Sequence, residues 1–394
     1  MTNNIIFYGT PAFGHIAPTL HIVKTLVKNG YTVYYYSTKD FENTITKTGA
    51  IFKEYQLGDI TFDLQIGSQL LQLYSLLLRF SYEQCDILIK EAEKIKPCLI
   101  MHDTVALWGR ITAININISA VSVNTFPVVF KIFSKATAMY TFRFAGSTLT
   151  ELKALPQIKK YKNLIRKKCS VKKLGMIDSI MNKEKLNIIT FPRVMQAGGD
   201  KFGDDCFFLG ASAILQENGF GSEHFNYPKD NLIYISLGTI FNDNIDFYYE
   251  IFSQFKNTKY NIVIACGGMY EKLKMENTPS NFIIKKSVDQ MEVLNNAKLF
   301  ICAGGMNSVC QAISKKVPCL ICPQQGEQMI TAKYVKKLGL GQIVENYKNI
   351  KTAGESLIKR YNPDESLIKE FTDIKTEECL NLIIQYINEE RKTI

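Results

Sequence analysis

A short apolar run, a glycine-bearing turn and an amphipathic helical pattern follow one another at the start of this chain, and the unit recurs in its second half. Asn4–Tyr8 is the first such run, Gly9 to Gly14 its turn, Pro18–Lys28 its helix, and Gly30 a stop before a β-rich stretch at Thr32–Tyr36. Further strand-like runs follow at Cys98–His102 and Ala120–Asn124. The second half repeats them at Asn231–Leu237, Asn261–Cys266, Phe282–Lys285, Leu299–Cys302 and Pro318–Cys322. Strands this short and this uniformly apolar, alternating with helices, predict parallel sheets covered on both faces. The predicted class is α/β, with two Rossmann-like domains.

A chain of 394 residues exceeds one ordinary core and suits two. The segment from Gly210 to Asp230, with three Gly and one Pro, reads as the linker. The predicted division is 1–210, a linker over 211–230, 231–362, and a tail of charged helices over 363–394 packing across the domains. The uncharged start Met1-Thr2-Asn3-Asn4 runs straight into a strand, so no targeting signal is expected. The longest apolar stretch, Leu70–Leu78, falls short of the roughly 18 residues of a membrane span. A cytoplasmic protein with its ten Cys reduced is the expectation.

The formal charge of +10 is concentrated: Lys131 to Lys173 holds twelve Lys/Arg against one acid, Glu151. A solvated face is one reading of that segment and contact with an anionic membrane surface another. Nucleic acid is not expected as a partner, because no stacking ladder or recognition module accompanies the charge.

Two turns carry candidate chemistry. In Gly9-Thr10-Pro11-Ala12-Phe13-Gly14-His15-Ile16, the glycines let backbone approach a ligand. His15 stands where a phosphate-binding P-loop needs Lys, and Ile16 where it needs a hydroxyl for magnesium, which excludes that motif. As a base, an imidazole with a reference pKa near 6.5 takes a proton from an attacking hydroxyl if a carboxylate fixes its tautomer. Asp103, just past the strand Cys98–His102, is the candidate carboxylate; His102 competes as a base but should face away from Asp103. The second turn, Cys302-Ala303-Gly304-Gly305-Met306-Asn307-Ser308, follows a strand and opens a helix, with Asn307 and Ser308 as capping residues and amides suited to phosphate. Ser236-Leu237-Gly238-Thr239 and Pro323-Gln324-Gln325-Gly326-Glu327-Gln328 also follow strands and would line the same sheet edge. Cys319 and Cys322 lie three apart on a strand, facing opposite sides, and read as buried thiols rather than metal ligands. No metal motif is recognised.

The run GGMNSV, followed by PQQGEQMITAKYVKKLGLG, resembles the donor-binding signature of nucleotide-sugar glycosyltransferases, nearest to the bacterial macrolide-type branch. GTPAFGHIAP resembles that family's acceptor turn; ITFPRVMQAGGDKFGDDCFFLG, ISLGT and VDQMEVL complete the set in order along the chain. The resemblance implies the GT-B fold, two parallel sheets facing a cleft. It implies His15 as general base oriented by Asp103, with Gly14 beside the donor. Gly238 and Thr239 would lie near the diphosphate, and Ser287, Val288 and Gln290 near base and ribose. Ala303, Gly304, Gly305, Asn307 and Ser308 would hold phosphates, and Glu327 with Gln328 the sugar hydroxyls. The implied reaction is metal-independent and inverting, from a UDP- or TDP-sugar to a small-molecule hydroxyl, with no cofactor.

Two positions depart from the pattern. Ala303 replaces a histidine that donates to a donor phosphate, and Ser287 and Asp289 replace a base-stacking aromatic and a proline. A lost charge-assisted hydrogen bond costs about 1.5–3 kcal/mol and a lost stacking contact about 1–3. Lys285 and Lys286 are nearby charges that would compensate. The alternative expectation is a donor-degenerate homologue acting as a non-catalytic binding or auxiliary protein.

Overall fold

The computed structural model describes residues 2–57, 69–127, 151–171, 173–212, 225–238, 242–274 and 278–392. The chain divides into two compact units. The first comprises Met1–Thr190, Gln196–Ser212 and Ile374–Ile394; the second comprises Phe191–Met195 and Ala213–Asp373. Of the terminal segment read as 363–394, the helix Glu365–Thr372 therefore belongs to the second unit and Thr376–Arg391 to the first. Most of the segment read as a linker lies outside the described residues.

The first unit holds seven parallel strands: β1 (Asn4–Tyr8), β2 (Thr32–Ser37), β3 (Ile51–Glu54), β4 (Leu99–Asp103), β5 (Ala120–Asn124), β6 (Leu186–Ile189) and β7 (Cys206–Phe208). Their order is β3-β2-β1-β4-β5-β6-β7. Successive side chains on a strand face opposite sides, so this sheet feeds two cores. Ile5 and Phe7 of β1 join Leu99, Met101 and Val121 beneath the helix Leu20–Lys28 and the terminal helix Thr376–Arg391. Ile6 and Tyr8 join Ile100, Phe80 and Trp108 on the other face, under the long helix Leu70–Ile95. The terminal helix contributes Cys379, Leu380, Ile383 and Ile387 and is latched by Glu390, which accepts from Ser119 at 2.5 Å and from Lys185 at 2.9 Å.

The second unit has six parallel strands: β8 (Leu232–Ser236), β9 (Asn261–Ala265), β10 (Phe282–Lys285), β11 (Ala297–Cys302), β12 (Cys319–Ile321) and β13 (Gly341–Ile343), ordered β10-β9-β8-β11-β12-β13. Leu299 and Ile301 point into the core packed by the helices Ile245–Phe255 and Ile350–Arg360, and Ala303 continues that row. Cys319 and Cys322 are fully buried, and burial pushes the Cys322 thiol up.

In both sheets the order runs outward in one direction from the first strand and in the other from the fourth. A ligand crevice in such a sheet opens at the carboxyl ends of the two strands where the order reverses. Those are β1 and β4 in the first unit and β8 and β11 in the second. Among the described residues, no helix is long and apolar enough to cross a membrane.

Candidate active site

The turn after β1 is shaped by two buried tyrosines. Gly9 sits against Tyr35 of β2, and a Cβ there would lie 2.6 Å from the Tyr35 ring, so any other residue would have to displace that ring. The Tyr55 hydroxyl donates to the Gly9 carbonyl at 3.0 Å and accepts from the Trp108 indole at 2.9 Å. Thr19 gives its proton to the Ile16 carbonyl at 2.7 Å, which makes Tyr35 the donor across the 2.8 Å contact to Thr19. Burial holds both phenols well above their usual pKa, so they remain neutral donors. With its carbonyl and flank so fixed, the turn delivers His15 at the end of the short helix Phe13–Ile16.

Asp103 is the last residue of β4 and is fully buried. Its Oδ1 accepts from the Thr10 hydroxyl at 2.8 Å and from the Val105 amide at 2.9 Å. Its Oδ2 lies 2.9 Å from His15 Nδ1. A buried carboxylate already accepting two hydrogen bonds is the acceptor in the third, so Nδ1 carries the proton and the lone pair stands on Nε2. Thr125 Oγ1, just past β5, shares the same Nδ1–H at 3.1 Å, and Phe126 meets the imidazole edge-on with ring centres 5.8 Å apart. His15 keeps 22% of its side-chain surface exposed while Asp103 keeps 1%. Gly14 is exposed beside it. His102 points to the opposite face, 3.3 Å from Glu184.

In the second unit, the turn after β11 carries Gly304 at φ +95°, where a Cβ would meet Ile321 at 2.8 Å and the Gln328 carbonyl at 3.1 Å. That contact brings the Gly-Gly turn against the first turn of the helix Gly326–Lys337. Gly305 is the N-cap of the helix Met306–Ser314, and no side chain caps it. Asn307 and Ser308, expected as caps, instead occupy the second and third helical positions. An end without a side-chain cap presents its first-turn amides, together with the positive end of the helix dipole, to an anion. Gly238, after β8, has φ +87° and open space where a Cβ would point; Asn242 donates to its carbonyl at 3.0 Å. Thr239 lies outside the described residues.

The turn after β12 is built as a capping box between Gln325 and Gln328. Gln328 Oε1 accepts from the amides of Gln324 at 2.8 Å and Gln325 at 3.2 Å, so its carbonyl is committed to the turn. Gln325 Nε2 donates to Glu327 Oε1 at 3.0 Å and holds that exposed carboxylate in place. Gln290 accepts from the Tyr234 hydroxyl at 3.2 Å and donates to Gln311 at 2.5 Å. Val288 is buried, Ser287 is exposed, and Asp289 caps the helix Gln290–Leu294 by accepting from the Glu292 amide at 3.1 Å. Lys285 directs its ammonium over the Phe225 ring at 4.5 Å. The Ala303 methyl is part of the apolar core.

Sequence reasoning missed Thr10, Thr125, Tyr55, Gln325 and Asn242. The hydroxyls of Thr10 and Thr125 act through strand ends that only the fold makes neighbours, and no spacing marks them. Gln325 lay in the turn from Pro323 to Gln328 that the sequence singled out, but glutamine is not an ordinary N-cap residue, so its capping box with Gln328 was not legible.

Residues 242–378 match the model of the glycosyltransferase family 28 C-terminal domain. The NDP-glycosyltransferase YjiC of Bacillus licheniformis is 30% identical to the chain, covering 94% of it and 92% of the relative. The oleandomycin glycosyltransferase of Streptomyces antibioticus is 22% identical, over 86% of this chain and 78% of its own. Among solved structures, the glycosyltransferase of kitacinnamycin superposes with a TM-score of 0.77 at 18% identity, covering 97% of this chain and 98% of that one. The fold is GT-B.

Proposed function

This chain belongs to the NDP-glycosyltransferase family and is a glycosyltransferase; we propose that it moves a hexose from a UDP- or TDP-sugar onto a hydroxyl of a small-molecule acceptor, such as a natural product or lipid. The reaction inverts the anomeric centre and needs neither metal nor cofactor. The observation that carries this reading is the His15–Asp103 contact of 2.9 Å at the carboxyl end of β4, where the strand order reverses.

Asp103 and Thr125 hold the imidazole with Nδ1 protonated, leaving Nε2 to receive the acceptor's proton. As that oxygen bonds to the anomeric carbon, the bond from carbon to the diphosphate oxygen breaks. A single displacement from the opposite face inverts the centre. The departing diphosphate gains negative charge, and the amides that open Met306–Ser314 meet it without reorganising. Glu327, fixed by Gln325, and the amide of Gln328 address the sugar hydroxyls. The alanine at 303 leaves phosphate binding to backbone amides, which any anionic leaving group can use, and the serine at 287 leaves the nucleobase without a stacking ring.

Substituting His15→Ala tests the assignment. Transfer should fall by about 10²–10⁴, while stabilisation by UDP, measured as a thermal shift, stays at its wild-type value. Undiminished transfer refutes the base. An axial product from an axial donor would refute inversion, and loss of activity in chelator would refute metal independence.

A further inference from the structure

We propose that the helix Leu155–Lys168 of the first unit is a docking surface for anionic phospholipid bilayers. This helix carries Lys159, Lys160, Lys162, Arg166, Lys167 and Lys168 and no acid. Only Ile158 and Ile165 of the helix are buried, seven residues apart and therefore on one stripe that faces the protein. At 100° per residue, Pro156, Lys160, Asn163 and Lys167 fall on the opposite side, and all four are exposed. Lys159 and Arg166 are exposed on one flank of that side, while Lys168 turns inward to Asp86 at 2.7 Å and over the Tyr82 ring at 4.8 Å.

The exposed surface beside this stripe is not only cationic. Leu152 and Leu155, at the amino-terminal end, expose 52% and 45% of their surface. Glu151, the one acid in the segment, is engaged by the Leu71 amide at 3.2 Å. Two leucines in the open beside a row of lysines suit a bilayer interface, where apolar side chains sit at the acyl boundary and cations at anionic headgroups. A nucleic-acid partner would need stacking rings on the same stripe, and its outward positions hold Pro, Lys and Asn, with Lys and Arg on the flank.

The test is co-sedimentation of the full chain with vesicles of phosphatidylcholine, with and without phosphatidylglycerol. The chain should bind the anionic vesicles, release in high salt, and ignore the zwitterionic ones. Reversing Lys159, Lys160, Arg166 and Lys167 to Glu should reduce partitioning by at least about fivefold per cation. Reversing Lys272, Lys348, Lys359 and Lys369 in the second unit makes the same change in net charge and should leave most of the binding. Equal loss in the two variants would assign the effect to total charge and overturn the surface. The pair Leu152→Gln and Leu155→Gln should weaken binding in low and high salt alike; full binding by that variant would overturn the seating of the leucines in the interface. Binding to duplex DNA, or self-association, without vesicle binding would also overturn it. Both charge variants should keep wild-type thermal midpoints and wild-type transfer to a water-soluble acceptor, because none of these residues stands in the turns that bear His15 or the diphosphate amides.

Discussion

Replacing Asp103 by Asn removes one charge and almost no volume, so its effect reads the tautomer argument directly. Three donors meet the carboxylate: Thr10 at 2.8 Å and the Val105 amide at 2.9 Å on Oδ1, and His15 at 2.9 Å on Oδ2. A backbone N–H can only donate, so Val105 requires the oxygen of the new amide at the Oδ1 site. The amide nitrogen then faces His15 Nδ1, which must accept. The ring proton moves to Nε2, and the nitrogen that should take the acceptor's proton has no lone pair. Turning the amide over would restore the working tautomer but would oppose two donors at Val105. Leaving that buried amide unpaired costs about 1–3 kcal/mol, so at most about one molecule in six is competent. The expected loss in kcat is therefore at least about fivefold, and up to the 10²–10⁴ of a lost general base, equivalent to about 3–5 kcal/mol in the barrier. The assay is steady-state transfer from UDP-glucose to a phenolic acceptor across neutral and alkaline pH, with UDP binding followed separately. Raising the pH should not restore the rate, because a misplaced proton on a neutral ring is not a titration. A variant within twofold of wild type would refute the tautomer argument.

Three further outcomes follow from the same geometry. Thr10→Val should lower kcat about five- to tenfold, since one hydrogen bond to a charged oxygen is lost and Val105 still holds Oδ1, and Thr10→Ser should recover it; equal losses in both would point to packing instead. Gly304→Ala should weaken UDP binding, measured calorimetrically, and destabilise the chain by more than about 1 kcal/mol, because φ +95° and a contact of 2.8 Å to Ile321 oppose a methyl group. Ile383→Ala should cost about 2–5 kcal/mol in chemical denaturation, since the side chain is fully buried between the terminal helix and the first sheet; a loss below 1 kcal/mol would mean that helix is not part of the unit's core.

The strands legible in the sequence are those with a compact apolar run bounded by turns, whether central, as β1 is, or at the sheet edge, as β10 is. Ala120–Asn124 and Phe282–Lys285 stand where the pattern put them, and β1 likewise. Four strands were not read: Ile51–Glu54 is half polar, Leu186–Ile189 and Cys206–Phe208 are short, and Gly341–Ile343 begins on a glycine. Their existence depends on a neighbour already in place, which periodicity does not encode. The site divides the same way. His15 announces itself by standing in a glycine turn, whereas Thr10 and Thr125 serve it through strand ends 93 and 110 residues from their partners. Cap assignment failed at Asn307 and Ser308 because Gly304 takes a left-handed turn and the helix begins two residues earlier than an Asn307 cap would set it.

On the proposed function, the two units use one arrangement for two kinds of chemistry, and the residue at one strand end decides which. In each, the first and fourth strands end side by side where the order reverses, and a turn of the first meets the end of the fourth. In the first unit the fourth strand closes on a buried carboxylate, which demands donors and obtains them from Thr10, Val105 and His15. The result is a polarised imidazole, suited to receiving a proton. In the second unit the fourth strand closes on Cys302 and Ala303, both buried, and then on two glycines. With no side chain at that end able to compete, the backbone amides of the following helix are what remains to meet a ligand. An acid there would repel a diphosphate at close range, and a large side chain at Gly238 or Gly305 would fill the space those glycines leave open. The alanine that departs from the family pattern is therefore compatible with anion binding: it removes one donor from a site whose other donors belong to the main chain and do not depend on residue 303.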